Sequence, residues 1–102
     1  LQNITNWEWH IFVTNFDFSA ADLSRSLVDS IINEMWNRVR DTKDYRDRAS
    51  KTVSLQGNNG YTGTYNGTTD WSGGLPTSPG AKAYDMKNNV TGTYNFATFQ
   101  LT

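Results

Sequence analysis

Thr62-Gly63-Thr64-Tyr65-Asn66 and Thr91-Gly92-Thr93-Tyr94-Asn95 are one pentapeptide written twice, 29 positions apart. Each copy stands in a tract with the two-residue alternation of a strand, which puts Gly63 on one face with Tyr61 and Tyr65, and Gly92 with Val90 and Tyr94. A glycine in mid-strand forfeits packing unless a bend, a bulge or a close neighbour needs the room. The repeat therefore predicts two strands of one sheet, with both glycines turned inward to make room for the bulky side chains Trp36 or Met35 of a helix.

That helix is expected from Ala20 to Val39. Ser19 followed by Asp22 makes a capping-box-like start, and Leu23, Leu27, Val28, Ile31, Ile32, Met35, Trp36 and Val39 recur at three- and four-residue steps. Strand-like tracts surround it: Trp7 to Phe18, Thr52 to Gln56, Tyr61 to Trp71, Ala81 to Lys87 and Val90 to Leu101. Gly57-Asn58-Asn59-Gly60 and Asn88-Asn89 read as tight turns, and Ser72 to Gly80, with two prolines and a Gly-Gly pair, as a long loop. Arg38 to Lys51 is a charge-dense connector. The order β-α-β-β-β-β predicts an α+β fold with one long amphipathic helix packed on a curled antiparallel sheet. This plan is similar to that of the cystatin and hot-dog folds, an analogy of architecture that implies no activity.

The 102 residues and 11.5 kDa correspond to a single domain, 1–102. A net charge of −1 and a pI near 5.6 argue against nucleic acid and anionic membrane as partners. The basic run Arg38, Arg40, Lys43, Arg46, Arg48 and Lys51 is interleaved with Asp41, Asp44 and Asp47, the pattern of a solvated helix end. No tract is long and apolar enough for a membrane span. The absence of cysteine removes disulfides, thiolate metal sites and a cysteine nucleophile together. Asn, Thr, Ser, Gly and Gln supply about two-fifths of the chain while Lys and Glu are scarce, a composition that leans toward an extracellular or cell-surface protein whose signal sequence has been removed. The sequons at Asn3, Asn66 and Asn89 add no weight, because chance matches are expected in a chain so rich in Asn, Ser and Thr.

Chemistry is sparse. Glu8 and His10 share a strand face and form the one pair that could act as a base oriented by a carboxylate, in a small hydrolase-like enzyme. Asp17, Asp70 and Asp85 could converge on calcium, but no loop shows closely spaced oxygen ligands, so neither metal nor other cofactor is expected. Aromatic residues flanked by amides and hydroxyls offer a better site. Tyr61, Tyr65, Tyr94, Trp71 and Asp70 are the candidate ligand-binding residues, since sugar C–H faces stack on rings while their hydroxyls need paired partners. The expected function is a small non-enzymatic binding module for a protein or polysaccharide partner. A second expectation is a homo-oligomeric structural subunit of an extracellular assembly or filament, paired through sheet edges.

Overall fold

The computed structural model describes residues 15–41 and 50–102. Its elements are β1 (Asn15–Asp17), α1 (Arg25–Asp41), β2 (Lys51–Ser54), β3 (Trp71–Ser72), β4 (Leu75–Pro76), α2 (Pro79–Asn88) and β5 (Phe96–Gln100). Strands β1, β2 and β5 form a three-stranded sheet in that order, and both pairings are parallel. The expected curled antiparallel sheet under a single helix is thus replaced, among the described residues, by a parallel sheet, two helices and a separate two-stranded antiparallel hairpin, β3–β4. Parallel neighbours need a crossover, and among the described residues each crossover here contains one helix. The cystatin-like analogy falls with the antiparallel meander.

Helix α1 follows from its spacing. Leu27, Val28, Ile31, Ile32, Met35 and Val39 are buried on one stripe. It starts later than Ala20 because Ala20 and Asp22 both adopt positive φ, 50° and 55°, which no helix accommodates. Ser24 is the capping hydroxyl, accepting from the Leu27 N–H at 3.2 Å, whereas Ser19 donates its N–H and hydroxyl to Asp17. Those bonds hold the exposed Asp17 carboxyl below its usual range. Asn58 ties this corner together. Its carbonyl accepts from the Leu23 N–H at 2.9 Å, and its amide donates to Phe18 O at 2.9 Å and Leu55 O at 3.0 Å, joining the ends of β1 and β2 to the start of α1.

The segment Ala81 to Lys87, expected as a strand, lies within α2. Ser78 caps that helix by accepting from the Ala81 N–H, Pro79 occupies its first turn, and Asn89 closes it in the left-handed conformation, φ 54°. This is the sequence asymmetry of a helix, a capping hydroxyl and proline before it and an αL residue after it. Asn89 therefore ends a helix and does not sit in a hairpin turn. Gly73 and Gly74, at φ 60° and 79°, supply the two positive-φ positions of the tight β3–β4 turn inside the expected long loop.

Phe16, Val53, Phe96 and Phe99 turn one face of the sheet toward α1 and α2. Lys51 pairs with Phe96 but Thr52 pairs with Thr98, so a bulge at Ala97 allows two phenylalanines three residues apart to share the buried face. The other face carries Asn15, Asp17, Thr52, Ser54, Thr98 and Gln100, all exposed or half-buried.

Neither copy of the repeat is a strand. Gly63 has φ +90°, and a Cβ there would overlap the Ser78 side chain, so it faces the cap of α2 and not Trp36 or Met35. A Cβ on Gly92 would lie 3.3 Å from the Tyr94 ring. Gly63→Val is expected to cost about 1 to 3 kcal/mol through backbone strain and loss of the Ser78 cap. Gly92→Val should cost less than half as much, because only Tyr94 must shift. Denaturant titration of the two variants checks this, and equal losses would contradict the different settings of the two glycines.

Candidate functional site

Beyond the carboxyl ends of β2 and β5 lies an open crevice of about 340 Å³. That volume lies in the range of small-ligand sites, and the carboxyl edge of parallel strands is where open α/β sheets place them. Phe99 and Leu101 from the end of β5, with Tyr61 and Tyr65 from the loop after β2, contribute rings and an aliphatic chain. Gln56, Gln100 and Thr102 contribute polar walls, and the Gln56 amide donates to Thr102 O at 2.8 Å across them. Among the described residues the lining contains no Asp, Glu, Lys, Arg or His.

The two tyrosines are held by the threonines between and beside them. Thr62 donates its N–H and its hydroxyl to the two oxygens of Asp29 on α1, at 2.8 and 2.5 Å. Thr64 donates its N–H to Asp70 at 2.9 Å, and Asp70 in turn accepts from the Ser78 hydroxyl. The Gly80 N–H donates to Thr62 O at 3.0 Å. Gly80 has to be glycine for this approach, since a Cβ would lie 2.9 Å from both the Tyr61 ring and the Thr64 backbone. The Tyr65 ring meets Tyr84 edge-on with centroids 5.2 Å apart. Burial pushes the Tyr65 phenol above its usual range, with Tyr84 and Tyr61 adding to the shift and an Asn88 hydrogen bond opposing it. It is therefore a neutral hydroxyl, able to donate and accept, at any physiological pH.

The structure brings Tyr61 and Tyr65 together and places the other three candidates elsewhere. Trp71 lies on β3, its indole N–H donating to Asn66 O at 2.8 Å, and Asp70 anchors Thr64 and Ser78 at φ 65°. Tyr94 is buried in a network around Asp85. In the second pentapeptide Thr91 repeats the grip of Thr62, donating its N–H to one oxygen of Asp85 at 2.8 Å and its hydroxyl to the other at 2.7 Å. Asp85 is fully buried and also accepts from the Trp36 indole N–H at 2.9 Å. Arg40 donates to the Thr91 and Tyr94 hydroxyls, and the cations of Arg40 and Lys82 lie 4.5 and 4.9 Å from the Trp36 ring centre. Burial lowers the Lys82 pKa.

Asp17, Asp70 and Asp85 each have separate partners, and no cluster of three or more potential metal-ligating side chains occurs among the described residues. No described helix is long and apolar enough to cross a membrane. Glu8 and His10, the sequon at Asn3 and the connector residues 42–49 lie outside the described residues. Sequence reasoning missed Gln56, Phe99, Gln100, Leu101 and Thr102 because it ran the last two strands antiparallel; in a parallel sheet the residues just past β2 and β5 are the first place to look. Comparison of the chain with protein-family models, with curated proteins and with solved structures finds no match in any of the three.

Proposed function

We propose that this protein is a small non-enzymatic binding module of the extracellular space or cell surface, and that its crevice takes a neutral sugar unit of a polysaccharide. The observation that carries the reading is the lining: two tyrosines beside Phe99 and Leu101, with two carboxamides and a threonine, and no ionic side chain among the described residues. Rings stack on the C–H faces of a sugar while carboxamides and phenols both donate to and accept from its hydroxyls. A phosphate or acidic ligand would find no cation among the described lining residues to offset its desolvation. The composition rich in Asn, Thr, Ser and Gly supports the compartment.

Titration with neutral oligosaccharides from glucan, chitin and mannan, followed by NMR, tests the site. Shifts are expected at Tyr61, Tyr65, Gln56 and Leu101, and Tyr61→Ala or Tyr65→Ala should weaken binding about tenfold or more, as loss of a central aromatic contact does. If no neutral sugar moves these resonances in the folded protein, the sugar reading is wrong; a protein that moves them instead would take its place. A second reading, a homo-oligomeric assembly subunit, draws on β5. Its outer edge pairs with no strand among the described residues and contains neither lysine nor proline to block pairing. Light scattering over a concentration series distinguishes that subunit from a monomeric binder.

A further inference from the structure

Asn66 is followed by a glycine, and its side-chain carbonyl is held by two backbone N–H groups. The oxygen accepts from the N–H groups of Thr68 at 3.0 Å and Thr69 at 2.7 Å. Two backbone donors on one carbonyl oxygen polarise the carbonyl, and they would stabilise negative charge that develops on that oxygen during attack. The neighbouring backbone nitrogen belongs to Gly67, whose N–H has no acceptor among the described residues and which has no side chain to obstruct it. Glycine is also required there by packing, because a Cβ would lie 2.9 Å from the Tyr84 ring. The segment is open to water, Gly67 and Thr68 being exposed.

We propose that Asn66-Gly67 is a self-modifying site at which the folded protein converts asparagine to aspartate and isoaspartate. The Gly67 nitrogen attacks Asn66 Cγ, and negative charge collects on the oxygen already held by Thr68 and Thr69. The Cγ–Nδ2 bond then breaks, and ammonia leaves carrying the proton that the Gly67 nitrogen gave up. Water opens the resulting cyclic imide at either carbonyl, so the net change is amide plus water to carboxylate plus ammonium. Opening at Cγ restores the normal chain with a new carboxylate, and opening at the backbone carbonyl adds a methylene to the main chain.

The other Asn-Gly pair provides an internal contrast. Asn59 donates through its amide nitrogen to Leu23 O at 2.6 Å and to Asp22 Oδ1 at 3.3 Å. A carboxylate beside the amide opposes development of an oxyanion, and the bond to Leu23 O restrains the amide. The fold should therefore accelerate Asn66 and slow Asn59.

The test incubates the intact protein at mildly alkaline pH, folded and in concentrated urea, and follows each asparagine by peptide mapping and ammonia release. In the folded protein Asn66 is expected to convert about tenfold faster than in urea, as one decade of transition-state stabilisation implies. Asn59 should convert more slowly folded than unfolded. Trp71 emission should change as isoaspartate accumulates, since its indole bonds the Asn66 carbonyl. A folded-state rate at Asn66 equal to or below the rate in urea overturns the proposal. Asn66→Gln removes the signal at this position, and its circular dichroism checks that the loop's loss of reactivity is not loss of fold. Both readouts are independent of whether the crevice binds sugar.

Discussion

Replacing Asp85 with alanine is expected to cost about 3 to 5 kcal/mol, a large share of the roughly 5 to 15 kcal/mol available to a small domain. Asp85 is fully buried, and its two oxygens satisfy the Trp36 indole N–H, the Thr91 N–H and the Thr91 hydroxyl. Truncation strands these donors, and each buried unpaired group costs on the order of 1 to 3 kcal/mol. It also leaves Arg40, which bonds the Thr91 and Tyr94 hydroxyls, without the nearby negative charge. Asp85→Asn should recover only part of the loss, because an amide presents one acceptor and one donor to a set of partners that all donate. The equivalent change at the other repeat is a built-in control. Asp29 makes the same two bonds to Thr62 in a solvent-exposed setting, where water replaces what is lost, so Asp29→Ala should cost about 1 kcal/mol or less. Urea titration of both variants decides the matter; equal losses would mean that burial does not set the strength of this grip.

The comparison explains why the repeat misled as a strand signal. Alternation of Thr and Tyr around a glycine has the period of a strand, yet in both copies the first threonine binds an aspartate through backbone and side chain together. A residue that donates its own N–H to a carboxylate cannot also give that N–H to a sheet ladder. The partner aspartates lie 33 positions before Thr62 and 6 before Thr91, so nothing in the local pattern announces them. What the two pentapeptides share is the anchor, and they diverge in what the tyrosine then does: Tyr65 lines the crevice, whereas Tyr94 is buried against Asp85.

Helix α1 was legible because its stripe is long enough for the 3.6-residue period to be unambiguous, and only its start was misplaced, by the positive φ of Ala20 and Asp22. Helix α2 was legible in principle, since Ser78-Pro79 at one end and Asn89 at the other are helix-boundary residues. Its interior reads poorly because Ala81, Ala83, Asp85 and Met86 are the buried residues, and two alanines with a carboxylate make no apolar stripe. Two of the seven crevice residues were legible for a related reason. Tyr61 and Tyr65 stand out by type, but Gln56, Gln100 and Thr102 become site residues only once β2 and β5 are known to run parallel and to end together.

The largest effect is expected at Ile31, where a change to Asp should leave the protein unfolded at room temperature. Ile31 is 1 % exposed and packs in the cluster that joins α1 to Val53, Phe96 and Phe99 of the sheet. An unpaired carboxylate placed there costs several kcal/mol in desolvation alone, added to the lost apolar burial. Loss of helical circular dichroism and of a cooperative melt is the expected result. The same charge on the opposite side of the sheet should be tolerated. Thr98 is exposed and flanked across the ladder by Thr52, so Thr98→Asp is expected to change stability by no more than about 0.5 kcal/mol. The contrast tests the bulge at Ala97 as well as the layer order. Without that extra residue Thr98 would lie on the face of Phe96, and a carboxylate there would enter the core. A Thr98→Asp protein that unfolds as readily as Ile31→Asp would therefore place both sheet faces in the interior, and a stable Ile31→Asp protein would remove α1 from the core.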